Sequence, residues 1–586
     1  MKRLLLFVHY DRDGKLDDHV LYLLNALRPF CTHSVVIANS PLNDTDMERL
    51  SPVADRVIRR ENRGFDFGAW GEVLPEYQEA LAKEFDTLLL VNGSCFGPLF
   101  PLHEMFDKMV ETPCDFWGVT EHTAANGVPA HLQSYFMEIR NPILHSEAFY
   151  RFFREVGAKC TDFDAAVRHG EIGFSQAMKT AGFRYRCYVE VKDTQTAPNV
   201  GIQEAFSRNC ADDLIRRYRL PLLKIKAFGQ AAGCSVFRAG SIFRALHDSG
   251  STYPHNLITS YLRRTTPLSW QKNLPETLLA VPRSGESGTV PEVKLGVMFH
   301  CFRPENAEKV RQYLANIPAE FDLLVTSPAP ETEKAVREMA ECIRFCRNVF
   351  FACTPNRGRD IAPWLCGFPA EQHLSYDVIL KLHVKSSPQM PEAFTADWQN
   401  YLYDNLAGSP ALIGEVLRAF AAEPELGTVF PPYPPIVTLQ CPTAYAGHPD
   451  DAAAGQSILK DLKLNPPQET GLPVFSPGTM FWYRPKALQT LLQKKWTPED
   501  FPPEPLPWRG TAAHAMERLT PYIAQSAGFY FRQSIHNDRL EEAFRTLENR
   551  VIYDAPTLKQ AFKTVLTALG TSCCYRLHRF FRHKGL

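Results

Sequence analysis

No stretch of the 586 residues approaches the roughly 18 uninterrupted apolar positions that a membrane-spanning helix needs. The start, MKRLLLFVHYDRDGK, holds only a short apolar run before charge resumes, without a small-residue cleavage site. It reads as a first buried strand rather than a signal peptide. Net charge is missing too: 64 Lys and Arg stand against 65 Asp and Glu, a formal balance of −1. A protein that grips nucleic acid through overall charge needs an excess of Lys and Arg, so that class is excluded. There is no C-x-x-C pair and no H-E-x-x-H, which removes the usual zinc frameworks. The 15 cysteines are scattered and odd in number, with Cys342 and Cys346 three residues apart in between and Cys573 next to Cys574. That usage fits free thiols in a reducing cytosol, not a disulfide scaffold. No G-x-x-x-x-G-K-[ST] loop is present, which argues against a nucleotide hydrolase. What is present is a 45% hydrophobic composition, enough for sizeable cores and two to four domains.

The chain repeats itself. Residues 62–70 read NRGFDFGAW and residues 356–364 read NRGRDIAPW, both fitting N-R-G-x-D-x-x-x-W about 290 residues apart. Three further matches keep nearly that offset. Leu5–His9 pairs with Gly296–His300, the strand closing at Ser40-Pro41 pairs with the one closing at Ser327-Pro328, and FDTLLLVNGS (85–94) pairs with YDVILKLHVKS (376–386). A looser match joins Ser134–Arg140 to Gly478–Arg484. The extra residues of the second copy fall around 431–475, a Pro-, Gly- and Ala-rich stretch that predicts a loop excursion. The resulting division is a first domain over 1–265, a Ser/Gly/Pro linker over 266–292, a second domain over 293–545 and a tail over 546–586.

Each copy alternates nearly continuous apolar strands with amphipathic helices. Val20, Leu23, Leu24 and Leu27 share one helical face, as do Val310, Tyr313 and Leu314. The pattern predicts an α/β fold with mostly parallel sheets covered on both faces, whose ligands bind beyond the carboxyl ends of the strands. His9, Asn92, His300 and His383 fall at such ends. In the N-R-G-x-D segments, Gly64 and Gly358 allow positive φ or close approach of a ligand. Asn62 and Asn356 can bond a base edge or their own turn, and Asp66 and Asp360 can accept from ribose or sugar hydroxyls. A tight turn with the Asp as helix N-cap and the Trp in the core accounts for the same residues. The second strand end is cationic: Lys381, His383 and Lys385 alternate with apolar residues and share one face, a set able to neutralise a diphosphate without metal. A solvated strand end is the plain alternative.

At ENRGFDFGAW (61–70), LLLVNGSCFGPL (88–99), CDFWGVTEH (114–122) and HLQSYFMEIR (131–140) the chain resembles the rhamnan synthesis protein F family. The second copy carries the same likeness in NRGRDIAPWL (356–365), YDVILKLHVKSS (376–387), GTMFWYRPKAL (478–488) and GTAAHAMERL (510–519). The resemblance implies two tandem Rossmann-like GT-A-type domains followed by a short C-terminal helical basic tail. It also implies a glycosyltransferase of bacterial surface polysaccharide assembly, moving L-rhamnose from a dTDP donor onto a growing glycan or lipid-linked glycan. Family members often show Asn-Asp-Ser at the first-copy strand end, where this chain has Asn92-Gly93-Ser94. A GT-A transferase would place Asp-x-Asp there to hold Mg²⁺ or Mn²⁺. Neither copy supplies the two carboxylates, so a divalent cation has no support at that position and no metal ligand is assigned.

An inverting transferase needs a carboxylate to deprotonate the acceptor hydroxyl. The resemblance points to Glu171, before Gly182-Phe183, and Glu517, before Gly528-Phe529, with His514 on the same helical face as Glu517. Asp115 and Glu121 are lesser candidates. Trp117, Tyr135, Phe136, Phe481, Trp482 and Tyr483 are either a sugar-stacking floor or core. The basic, aromatic stretch 557–586 suits an interfacial helix at the inner face of the cell membrane, or a cationic helix packed on the protein. The rival to an enzyme is a non-catalytic glycan-binding or assembly protein with degenerate domains.

Overall fold

Strand β1 (Arg3–His9) is buried at every position, as an apolar run in the middle of a parallel sheet must be. In the computed structural model it pairs in parallel with β2 (His33–Ala38) on one side and β4 (Thr87–Asn92) on the other. The sheet continues through β3 (Arg56–Arg59) beyond β2. Beyond β4 come β6 (Phe136–Arg140), β5 (Phe116–Gly118) and β7 (Tyr185–Cys187). Only β6 runs antiparallel to its neighbours. Helix α1 (Asp18–Leu27) buries Val20, Leu23, Leu24 and Leu27, the face its periodicity predicts. Helix α2 (Phe65–Lys83) lays Phe67 and Trp70 against Leu4, Leu6, Leu88 and Leu90. The structure describes residues 1–124, 127–190, 211–228, 238–272, 274–283, 285, 288–384, 392–434, 449–467, 474–507 and 510–541.

The chain separates into a unit of Met1–Leu262 and a unit of Arg263–Leu586. In the second, β9 (Leu295–His300) lies between β10 (Phe321–Ser327) and β12 (Val378–His383), all parallel. β11 (Cys346–Cys353) follows β10. On the far side of β12 come β14 (Phe481–Tyr483), β13 (Leu426–Phe430) and β15 (Tyr530–His536). β14 is antiparallel to β12 and β13, so the reversed strand occupies the place β6 holds in the first sheet. Seven strands thus repeat one order in both units. Helices α3 (Asn306–Leu314), on one face, and α4 (Ile361–Cys366), on the other, belong to two separate cores. The alternation within β9 explains this: Val297 and Phe299 enter one core and Met298 the other.

Two stretches differ from their sequence reading. The expected linker contains β8 (Leu278–Val281), which pairs in parallel with β15 and adds an edge strand to the second sheet. Its Leu-Leu-Ala-Val core outweighs the flanking Pro, Ser and Gly. Within the expected loop excursion, Pro449–Asp461 is helical. Proline at the first turn and the Ala run that follows favour a helix despite the flanking glycines. The tail over 546–586 lies outside the described residues.

Candidate functional site

Both N-R-G-x-D segments adopt one backbone turn. Gly64 (φ 69°) and Phe65 (φ 54°) are successive left-handed residues, as are Gly358 (φ 61°) and Arg359 (φ 54°). A non-glycine residue in that region is disfavoured by about 1 kcal/mol or more, so the surroundings must enforce it. The glycine is required for space as well: a Cβ on Gly64 would stand 2.7 Å from the Gly157 carbonyl oxygen. The turn sets Asp66 at the start of α2 and Asp360 as the residue preceding α4, each facing the carboxyl end of its central strands. Trp70 and Trp364 are fully buried core residues.

The two aspartates meet different partners. In the first unit the Asn92 amide, at the end of β4, donates to Asp66 Oδ2 at 2.7 Å. Asn92 Oδ1 accepts from Ser94 N (3.1 Å) and Ser94 Oγ (2.6 Å), which holds the amide facing Asp66. Burial pushes the Asp66 carboxyl up to about 6, the Glu171 charge adding and Asn92 and Lys224 opposing. Asn62 accepts from Asn39 Nδ2 at 3.1 Å, bracing the turn against the end of β2. His9, at the end of β1, has Nε2 3.0 Å from the Lys15 carbonyl, an arrangement that puts the proton on Nε2. Its Nδ1 is buried without a hydrogen-bond partner. Burial lowers the His9 pKa, so the ring is neutral and Nδ1 is an acceptor.

In the second unit Lys381 Nζ lies 2.6 Å from Asp360 Oδ2 and donates to the Thr479 carbonyl at 2.9 Å. Thr479 Oγ1 adds a bond to Asp360 at 2.8 Å, and His383 Nδ1 is 3.5 Å away. Against the effect of burial, His383, Lys381 and Thr479 hold Asp360 well below the ordinary carboxylate range. Burial drives His300 down to about 4, so it is neutral at pH 7; its Nδ1 lies 3.0 Å from Thr326 Oγ1. Lys381 and His383 do share a face, but Lys381 is turned into the protein with 2% of its surface exposed. The expected cationic strand end is therefore not an open one at Lys381: the charge is already matched. Lys385 lies outside the described residues, and Asn356 is exposed.

Glu171 and Glu517 occupy equivalent places. Glu171 Oε2 accepts from Ser134 N and Ser134 Oγ, both at 2.7 Å, and Glu517 Oε1 accepts from Gly478 N at 2.8 Å. Each carboxylate clamps the turn that enters the antiparallel strand. Glu171 sits on a π-helical turn (Ala166–Ile172), whose Gly170 abuts the Phe67 ring. Its Oε1 lies 3.6 Å from His131 Nε2. Against burial, His131, Lys224 and Ser134 hold Glu171 down to about 2, which makes it a weak base. Glu171, expected as the base, thus has both carboxylate oxygens engaged, one by Ser134 and one facing His131. His514 Nδ1 is 2.8 Å from Thr511 Oγ1, and its pKa is lowered by burial and by Arg359.

The aromatic strands are core: Trp117, Tyr135, Phe136, Phe481, Trp482 and Tyr483 are all at most 2% exposed, which removes the sugar-floor reading. Asp115 precedes β5 and binds Arg184 N at 2.7 Å, at the amino end of the sheet and away from the site. Glu121 accepts from Tyr185 OH at 3.1 Å. Sequence reasoning missed Lys224, which a short antiparallel pairing sets beside the first strand end, Lys224 opposite Cys95. A divalent ion fits the second site poorly, because Asp360 already holds an ammonium. Among the described residues no three His, Cys, Asp or Glu side chains converge as a metal-ligand set. Among the described residues, too, no helix is long and apolar enough to cross a membrane.

Curated relatives are partial. A Sinorhizobium fredii protein, y4gN, is 24% identical over 151 residues, covering 25% of this chain and 39% of that protein. The WxcX protein of Xanthomonas campestris pv. campestris is 29% identical over 173 residues, covering 30% and 23%. The virulence protein VirA of Vibrio anguillarum is 31% identical over 120 residues, covering 20% and 36%. The chain thus spans well under half the length of each. Among solved structures, the glycosyltransferase GlyE of Streptococcus pneumoniae is 12% identical, with 66% of this chain and 86% of that chain covered and a TM-score of 0.24. The mannosyltransferase PcManGT of Pyrobaculum calidifontis, solved with GDP-Man and Mn²⁺, is 12% identical, covers 60% and 94%, and has a TM-score of 0.22. Scores this low say nothing of the site. The profile of rhamnan synthesis protein F matches residues 34–529, most of the sequence from strand β2 to the end of α5 (Ala512–Ser526), and the chain belongs to that family.

Proposed function

We propose that this chain is a glycosyltransferase of polysaccharide synthesis and that transfer takes place in the first unit. One observation carries the choice of unit: Asp66 is held by a neutral amide, whereas its counterpart Asp360 is held by a buried ammonium. Asp66 retains a carboxylate whose proton affinity, about 6, suits a base working near neutral pH. In the reaction, the acceptor hydroxyl oxygen attacks the anomeric carbon of a nucleotide-bound sugar. Its proton passes to Asp66, and the bond from the anomeric carbon to the diphosphate breaks. Glu171 positions the turn at Ser134 and stays charged. Family membership and the site's place at the strand ends between β1 and β4 support this reading. The family's description, rhamnan synthesis, supports L-rhamnose as the sugar, and the donor in this reading is dTDP-L-rhamnose with a growing cell-surface glycan as the acceptor. A lipid-linked acceptor would bring the protein to the inner face of the membrane; the stretch 557–586 that would make contact lies outside the described residues. The second unit, with its Asp360 charge matched internally, serves binding of glycan or assembly rather than transfer.

The test offers purified protein a panel of nucleotide sugars, dTDP-L-rhamnose included, with lipid-linked acceptor and with or without EDTA. Expected are release of nucleoside diphosphate, retention of activity in EDTA, loss in Asp66→Asn and survival in Asp360→Asn. No release from any donor ends the transferase reading, and activity lost only in Asp360→Asn reverses the choice of unit.

A further inference from the structure

The cluster beneath the first unit's strand end contains a cation that the site as described does not use. Lys224 reaches it from far along the chain: Leu223 and Lys224 pair antiparallel with Phe96 and Cys95, and Ile225 N donates to the Ser94 carbonyl at 2.9 Å. This pairing locks Lys224 beside Asn92-Gly93-Ser94. Its Nζ lies 5.1 Å from the centre of the Tyr135 ring, which is buried, and the side chain is itself half-buried. Asp66 and Glu171 both feel its charge, yet among the described residues Lys224 has no carboxylate within 4 Å and no hydrogen bond from Nζ. A part-desolvated ammonium without a contacting anion is an unfavourable state that an anionic ligand relieves. Lys381 in the second unit has no such demand, since Asp360 meets it at 2.6 Å.

The Gly93 position itself is in ordinary packing contact: a Cβ there would touch His9 Nδ1 at 3.6 Å, the Val8 carbonyl oxygen at 3.8 Å and the Phe7 ring at 3.9 Å. The demand for an anion therefore rests on Lys224, at the strand end where ligands of such sheets bind. A nucleoside diphosphate supplies the complementary charge.

We propose that Lys224 receives the diphosphate of a nucleotide ligand in the first unit. This rests on the transferase reading above. The experiment is calorimetric titration of the full chain with dTDP and UDP, and with thymidine and uridine, for wild type, Lys224→Met and Lys224→Arg. One lost charge-assisted contact to phosphate corresponds to about 10- to 100-fold in Kd. Lys224→Met is expected to weaken the diphosphates by that factor and leave the nucleosides unchanged, and Lys224→Arg to restore most of the loss. The dependence of log Kd on log salt is expected to flatten in Lys224→Met alone. Equal diphosphate affinity in wild type and Lys224→Met overturns the proposal while leaving the transferase reading intact. Parallel loss of nucleosides and diphosphates in Lys224→Met also overturns it, since that reports a collapsed site. Absence of any binding by wild type overturns both.

Discussion

Replacing Lys381 by Leu, the residue that Leu90 supplies at the matching place in the first unit, isolates what distinguishes the two sites. Asp360, 11% exposed in its side chain with Lys381 present, keeps Thr479 Oγ1 at 2.8 Å and His383 at 3.5 Å as its remaining partners. Two unit charges 2.6 Å apart attract by about 6 kcal/mol at an effective dielectric of about 20. Breaking a buried pair from one side costs about 3–5 kcal/mol. The hydrogen bond from Thr479 Oγ1 remains, so the lower end of that range, about 3 kcal/mol, is expected at pH 7. The double variant Asp360→Asn/Lys381→Leu buries no unpaired charge and is expected within about 1 kcal/mol of wild type. Because the chain has two units, the readout is amide hydrogen exchange on peptides covering β12 and β14, which reports opening of that sheet alone. About 3 kcal/mol corresponds to exchange roughly 100-fold faster. The pH dependence has a fixed sign. Asp360 is depressed below its unfolded value of 3.8, so its contribution is present above that pH and is lost as pH falls. The gap between Lys381→Leu and wild type therefore narrows in acid. Unchanged protection in Lys381→Leu, or a double variant as weak as the single one, would refute the reasoning.

Asp66→Asn is expected to lower kcat about 10²–10⁴-fold while stabilising the first unit at pH 7. Because the folded carboxyl is raised from 3.8 to about 6, its contribution favours folding at low pH and is lost as pH rises through 6. Chemical denaturation of both proteins at pH 4 and pH 7.5 checks the sign: the variant's advantage should exist only at the higher pH. Glu171→Gln keeps an oxygen for Ser134 but loses the charge facing His131 and Lys224. Its melting temperature should fall at pH 7, with the difference closing as pH drops from 4.5 towards 2, and turnover should fall less than tenfold. Gly64→Ala meets the Gly157 carbonyl at positive φ and is expected to cost about 2 kcal/mol or more. Gly93→Ala, with no atom nearer than 3.6 Å, should fold with wild-type stability, and thermal unfolding of the pair decides.

The duplicated order of strands was legible because an apolar run such as Leu4–Val8 or Leu295–Phe299 has few ways to be buried except in the middle of a parallel sheet. The N-R-G-x-D turn was legible for a local reason too, since Gly64 and Gly358 serve a left-handed backbone that neighbouring residues cannot supply cheaply. Alternation on β12 correctly put Lys381 and His383 on one face, yet it carries no information about what covers that face. Only the packing of α4 and the turn at Thr479 against β12 turned that face into a closed ion pair. The same limit applies to the aromatic strands, whose pattern fits a cleft floor and a core equally until helices bury both sides. Glu171, Glu517 and Lys224 depend on partners about 37, 39 and 129 residues away, respectively, at Ser134, Gly478 and Cys95. The sequence by itself determined the repeated strands, the turns and which residues stand at strand ends, because these follow from local periodicity and backbone sterics. Whether a charge at those ends is matched or left for a ligand was decided by tertiary structure alone, because electrostatic pairing depends on distances that only the folded chain sets.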